Sequence, residues 1–263
     1  MEYTTARIPP TVIARRPDRL ARVSTPTGSE PTAPRVLLRF DGVLHASDLP
    51  VQSFARHLTE TLPADQIRVL IAGMRGFLEG KPELIPEGIE LAGAEDGYQA
   101  VEILGRATGL SAETITAAYQ ASRVDLAASA WAVDASDGLG DMIAAIKGQV
   151  HLAVLAEPGD PAPAAVLDSV GIGLQVVDAP IARACSPQSI ENVRPTRVLV
   201  VGTRWAGELV DARDLGFDTA LVDRYRLGRG TPTLRSPDLA GLLEPIIRWC
   251  AESTTEAGER HDE

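Results

Sequence analysis

Lysine and cysteine are both scarce in this 263-residue chain, which contains two of each. The cysteines, Cys185 and Cys250, lie far apart and show no CxxC or histidine spacing, so neither a disulfide framework nor a zinc site is indicated. The lysines are Lys81 and Lys147, and the other 23 of the 25 basic residues are arginines. The chain therefore offers almost no amine for chemistry that requires a lysine side chain.

Long apolar runs and an excess of positive charge are also missing. No run approaches the ~18 apolar residues of a membrane span, and the first ten residues, MEYTTARIPP, contain no apolar segment typical of a signal peptide. The formal net charge is −11, which argues against a nucleic-acid partner because such proteins neutralise phosphates with basic surfaces. We therefore expect a cytoplasmic protein that contacts neither membranes nor nucleic acids.

The two ends of the chain differ in composition from its middle. Residues 1–34 are rich in proline, threonine and arginine, and the prolines interrupt any helix or strand, so they predict an irregular N-terminal arm. Residues 251–263 are acidic and polar, which predicts a disordered tail.

Between these ends, short apolar runs alternate with helical patterns. The segments 35–50 and 134–250 show this alternation, which is typical of a doubly wound, Rossmann-like α/β core with a parallel sheet covered on both faces. Residues 51–133 have helical spacing almost throughout, which predicts an inserted all-helical cap. Because ligands of such sheets sit beyond the carboxyl ends of the strands, candidate site residues should follow the apolar runs.

Two of these strand ends carry motifs of a known family. The run Arg39-Phe40-Asp41-Gly42-Val43-Leu44 matches DxDG[TV]L in every place but the first. The run from Val198 to Thr203, followed by Glu208, Ala212 and Gly216, matches hhhhGDxxxxDxxxAxxxG in register. The chain thus resembles the haloacid dehalogenase (HAD) superfamily from Arg35 to about Trp249, with a helical cap after the first motif.

The resemblance implies phosphoester hydrolysis through an aspartyl-phosphate, but several family positions are changed. Arg39 stands at the place of the nucleophile, and a guanidinium is permanently protonated and cannot attack phosphorus. Asp41 keeps the place of the general acid/base and is the one candidate catalytic residue. Ala156, followed by Glu157, stands where a hydroxyl binds the phosphoryl group, and a methyl group donates no hydrogen bond.

The remaining family positions are changed as well. Ser186 stands where a lysine is expected, and Thr203 replaces the magnesium-binding aspartate. Glu208 still offers a carboxylate. The resemblance therefore implies a degenerate pocket of seven residues: Arg39, Asp41, Ala156, Glu157, Ser186, Thr203 and Glu208.

Two uses of this pocket are open. In the first, the Arg39 guanidinium occupies the place of the magnesium ion and neutralises Asp41 and Glu208. In the second, Arg39 binds an anionic ligand together with Arg183 or Arg204. We expect no metal and no cofactor; a magnesium ion on Asp41 and Glu208 is expected only if hydrolase activity remains. His45, just past the first motif, is expected to be a solvated loop residue.

The sequence therefore favours a HAD-like protein that has lost its chemistry and acts through binding or regulation, with a small anionic ligand or a protein as its partner. The alternative is a divergent hydrolase of the same superfamily that acts on a phosphorylated small molecule. A third interpretation is an interaction module that uses the helical cap or the N-terminal arm.

Overall fold

The computed structural model describes residues 33–129, 133–178 and 197–259, with side chains as far as residue 253. The predicted N-terminal arm lies outside the described residues except for its last two, and so do Arg183 and Ser186. No helix in the described part of the chain is long and apolar enough to cross a membrane.

Six parallel strands form one sheet. They are β1 (Arg35–Arg39), β2 (His151–Ala156), β3 (Gln175–Asp178), β4 (Val198–Gly202), β5 (Asp218–Val222) and β6 (Leu234–Ser236). Their order is β3-β2-β1-β4-β5-β6, with every neighbouring pair parallel. All residues of β1 and β4 are buried, as expected for central strands with both faces covered. Because the strands are parallel, their carboxyl ends meet at one edge of the sheet, called here the carboxyl edge.

Helices pack on both faces of this sheet, which confirms the predicted doubly wound core. They are α5 (Leu139–Ile146), α6 (Ala162–Ser169), α7 (Val210–Asp214) and α8 (Leu243–Glu259). Successive residues of β1 point to opposite faces. Leu38 packs in the cluster that contains Met142 of α5, and Leu37 packs in the cluster that contains Ala212 of α7.

Four helices between β1 and α5 form the helical insert. They are α1 (Leu49–Thr59), α2 (Ala64–Leu78), α3 (Gly97–Ala107) and α4 (Ala112–Ala128). They bury an apolar cluster of their own around Phe54 and Leu104. Asp96 and Ser111 cap α3 and α4, because each side chain accepts a hydrogen bond from a backbone N–H in the first turn.

The C-terminal region differs from the prediction. Helix α8 continues to Glu259, so residues 251–259 are helical and the predicted disordered tail is wrong for them. Ser253 is fully buried, and its hydroxyl donates to the backbone oxygen of Trp249 at 2.7 Å. Strand β6 was not predicted; it has three residues and pairs with β5.

Candidate functional site

A cavity of about 640 Å³ lies between the carboxyl edge of the sheet and helices α3 and α4 of the insert. Five of the seven predicted pocket residues line this cavity: Arg39, Asp41, Glu157, Thr203 and Glu208. Ala156 is buried at the end of β2, so its neighbour Glu157 reaches the cavity instead. Ser186 lies outside the described residues. The strand ends therefore bring together residues that are up to 169 positions apart in the chain because the strands are parallel.

Arg39 is ion-paired at the end of β1. Its Nη2 lies 2.9 Å from Glu157 Oε1 and 3.0 Å from Glu208 Oε1. Burial lowers the pKa of the Arg39 guanidinium, but the two carboxylates outweigh this effect and raise it above its ordinary value. The Arg39 side chain is 9% exposed and that of Glu208 is 4% exposed, so this pair is shielded from water. The position that the motif resemblance assigns to the nucleophile thus holds a permanent, buried cation.

A second guanidinium, that of Arg204, contacts the same Glu208 oxygen as Arg39 does. Arg204 donates to Glu208 Oε1 from Nε at 2.7 Å and also through Nη2. Arg204 Nε also lies 3.5 Å from Asp96 Oδ2 at the start of α3, which links the core to the insert. Burial raises the pKa of the Asp96 carboxyl to about 6, although Arg204 acts in the opposite direction. Glu208 therefore lies between two arginines, and Asp96 stands beside them.

Asp41 is neutralised by a residue that the sequence did not indicate. Its Oδ1 accepts from Arg123 Nη1 at 2.7 Å and from the Tyr98 hydroxyl at 3.2 Å. The hypothesis that Arg39 neutralises both Asp41 and Glu208 is therefore correct for Glu208 and wrong for Asp41. Burial works against ionisation of Asp41, but the charge of Arg123 and the contact with His45 outweigh it and hold its pKa well below the usual range.

Arg123 projects from α4 and joins the insert to the core. Its Nε and Nη2 donate to Asp160 Oδ2 at 3.0 and 2.6 Å, and its side chain is 4% exposed. Its guanidinium also lies 5.8 Å from the ring centre of Tyr119, one turn earlier in the helix. The sequence offered only the spacing of Tyr119 and Arg123, four positions apart in a helical pattern, and this spacing does not point to Asp41.

His45 is buried, which contradicts the predicted solvated loop position. It is 2% exposed, its ring lies 5.0 Å from that of Phe40, and its Nε2 lies 3.4 Å from Asp41 Oδ1. Asp41 and His45 also form a backbone bridge, so the turn after β1 folds back on itself. His45 therefore forms part of the immediate environment of Asp41.

The residues at the carboxyl edge do not fit a magnesium ion. Magnesium requires oxygen ligands in a near-octahedral arrangement, whereas the Glu208 carboxylate is bonded by two guanidiniums and Arg39 stands at the place of an aspartate. Over residues 33–129, 133–178 and 197–253, there is no group of three or more His, Cys, Asp or Glu side chains that could hold a metal ion.

Comparisons with known proteins show which solved structures share this fold. No protein-family model matches the sequence, and no curated protein matches it either. Among solved structures, the candidate HAD-hydrolase YfnB from Bacillus subtilis, solved with magnesium bound, matches with a TM-score of 0.51 and 16% identity over 82% of this chain and 99% of its own. A candidate phosphoglycolate phosphatase from Lactobacillus plantarum matches with a TM-score of 0.52 and 13% identity over 81% and 99%. The chain therefore has the fold of the HAD-like hydrolases, the superfamily that its motifs resemble.

Proposed function

We propose that this protein is a non-catalytic member of the HAD-like fold and acts by binding a small molecule in the cavity at the carboxyl edge. The observation that carries the proposal is the buried Arg39 guanidinium, whose Nη2 lies within 3.0 Å of both Glu157 and Glu208. A guanidinium is not a nucleophile, since it stays protonated at any physiological pH. A covalent aspartyl-phosphate cannot form at this place.

The ionised state and the hydrogen bonds of Asp41 support the same proposal. A general acid must hold a proton near the operating pH, and Arg123 holds the pKa of the Asp41 carboxyl well below its usual range despite its burial. Asp41 also accepts hydrogen bonds from two side chains of the helical insert. It therefore acts as a fixed anion that anchors the insert to the core.

The loss of these catalytic groups should lower the reaction rate by a large factor. A nucleophile, a general acid and an electrostatic clamp each contribute a factor of ~10² to 10⁴ to a reaction rate. Even without strict additivity, we expect the loss of the nucleophile and the immobilisation of the acid to remove essentially all phosphatase turnover.

The test is hydrolysis of p-nitrophenyl phosphate by the purified full chain, with and without magnesium, beside the Asp41→Asn variant. We expect the two proteins to release p-nitrophenol at the same background rate, and magnesium to change neither rate. The alternative of a divergent hydrolase predicts magnesium-dependent release that disappears in Asp41→Asn, and that result would contradict the proposal.

A further inference from the structure

Among the residues that the structure describes, the side chains that line the cavity carry more negative than positive charge. They include six carboxylates and four guanidiniums. The carboxylates are Asp41, Asp96, Glu102, Glu157, Asp160 and Glu208. A cavity that recognised a phosphate ester would need the opposite balance, because a phosphoryl group carries close to two negative charges at neutral pH.

Each of the four guanidiniums is already ion-paired. Arg39 contacts Glu157 and Glu208, Arg123 contacts Asp41 and Asp160, and Arg204 contacts Glu208. The fourth, Arg106, forms an ion pair in which its Nη2 lies 2.6 Å from Glu102 Oε1. An entering anion would have to compete with these carboxylates and would meet their repulsion, since a like charge in a shielded site is unfavourable.

Hydrogen-bond acceptors, in contrast, remain available. Glu208 lines the cavity with a side chain that is 4% exposed, and its buried Oε2 accepts no hydrogen bond from any residue in the described part of the chain. Glu157 pairs through Oε1 and keeps half of its side chain exposed. Glu208 Oε2 is closed off from solvent, so the half-exposed carboxylate of Glu157 is the acceptor that a ligand in the cavity can reach.

Aromatic rings form the wall on the side of the insert. Phe54 and Tyr119 lie 5.7 Å apart between ring centres, and Tyr98 and Tyr119 lie 5.6 Å apart. Tyr98 and Tyr119 line the cavity, whereas Phe54 is buried in the core of the insert and contributes almost no exposed surface. The Arg123 guanidinium already lies 5.8 Å from the centres of both tyrosine rings, so these rings offer a ligand apolar surface and not an unoccupied site for a cation.

We propose that the cavity binds a small organic cation, with an ammonium group directed at Glu157 and an apolar body against the rings of Tyr98 and Tyr119. This inference rests on the proposed function and names the chemical class of the ligand for the same cavity. It opposes the expectation that Arg39 binds an anionic ligand together with Arg183 or Arg204.

The experiment compares three probes of similar shape by calorimetric titration of the full chain: 2-phenylethylammonium, 2-phenylethanol and phenyl phosphate. Salt at about 0.15 M screens the general attraction of cations to a chain of net charge −11. A pH of about 8 keeps Asp96 ionised, because burial raises its pKa only to about 6. We expect saturable one-site binding of the ammonium, binding at least about tenfold weaker for the alcohol, and no binding of the phosphate ester.

Two variants with the same change of charge separate the cavity from the surface. Glu157→Gln should weaken the binding of 2-phenylethylammonium by about tenfold, because it removes a charged acceptor from the cavity. Glu90→Gln, at an exposed position of the insert outside the cavity lining, should bind as the wild type does. Glu157 is half exposed, so its substitution should leave folding intact, and melting curves of both variants check this.

Three results would overturn the inference: saturable binding of phenyl phosphate, absence of saturable ammonium binding, or equal weakening by the two variants. None of them decides the proposed function. Magnesium-dependent phosphatase activity would contradict the proposed function, whereas these titrations report only which ligand charge the cavity accepts.

Discussion

Arg39 joins three parts of the carboxyl edge through one guanidinium. It stands at the end of β1 and contacts Glu157 after β2 and Glu208 after β4. Charges removed from water are tolerated when they are paired, and the loss of one partner leaves the other buried without compensation. Arg39 should therefore contribute to stability as well as determine the chemistry of the site.

Replacing Arg39 with methionine should destabilise the protein by about 3 kcal/mol, because Glu208 would lose one of its two cations in a shielded position. Urea unfolding followed by circular dichroism measures the change. The matched control is Arg75→Met, which removes an arginine that is 60% exposed and paired with Glu79, and which should cost no more than about 1 kcal/mol. Equal losses in the two variants would show that the Arg39 pairs are not shielded.

Gly42 sets the shape of the turn after β1. Its φ is +72°, and a Cβ atom there would lie 2.6 Å from Thr203 Cγ2 at the end of β4. Gly42→Ala should therefore introduce both backbone strain and a clash. Gly88, with φ +80° and no atom within 4 Å of its Cβ position, offers a control that has the strain alone.

We expect Gly42→Ala to cost about 1–2 kcal/mol more than Gly88→Ala in free energy of unfolding, because only the first variant pushes two strand ends apart. Chemical denaturation of both variants makes the comparison. Similar costs would mean that the turn moves away from Thr203 without resistance.

At the scale of the elements, the start of α3 links the insert to the core. Asp96 accepts a hydrogen bond from the backbone N–H of Gln99 at 2.8 Å and lies 3.5 Å from Arg204. Because burial raises its pKa from 3.8 to about 6, the ionised form is less favourable in the folded state than in the unfolded state. Above pH about 6 this penalty is fully present, and it disappears as the pH falls from about 6 towards 4.

Asp96→Asn should remove this pH dependence and keep the cap, since asparagine caps helices as well as aspartate does. The wild type should gain about 1–3 kcal/mol relative to the variant between pH 7.5 and 4.5. Urea unfolding of both proteins at a series of pH values measures the difference. A difference that stays constant with pH, or falls as the solution becomes more acidic, would contradict the raised pKa.

Most of the elements were predictable because their signals are local. The apolar run before Phe40 and the spacing in residues 139–146 each reflect the burial of a strand or of one helix face. Strand β6 has one apolar residue in three, Leu234, so its pattern is too short to detect. The end of α8 was missed because its acidic composition resembles that of a solvated tail, although Ser253 is buried there.

The site was predictable only in part. The family motifs fix the register of Arg39, Asp41 and Glu208 at neighbouring strand ends, and all three line the cavity. The pairing of Asp41 with Arg123 spans 82 positions and depends on how the insert lies on the core. No local pattern encodes that arrangement, so the partner of Asp41 could not be predicted.

At the scale of the whole molecule, polar contacts join the insert to the core around the cavity. Arg123 reaches Asp41 and Asp160, and Glu95 accepts from the backbone N–H of Ala206 at 2.8 Å. In an enzyme of this fold, the groups at this junction would have to be free to meet a phosphoryl group. Here Arg39 and Asp41 are both held in ion pairs, which supports the proposal of a non-catalytic role.

The most direct test of this account is whether the chain ever carries a phosphoryl group. The full chain is incubated with p-nitrophenyl phosphate and magnesium, quenched in acid to preserve acyl-phosphates, and weighed by intact-protein mass spectrometry. We predict the mass of the unmodified chain, because a guanidinium occupies the place of the nucleophile. A chain whose mass increases by one phosphoryl group would contradict the account.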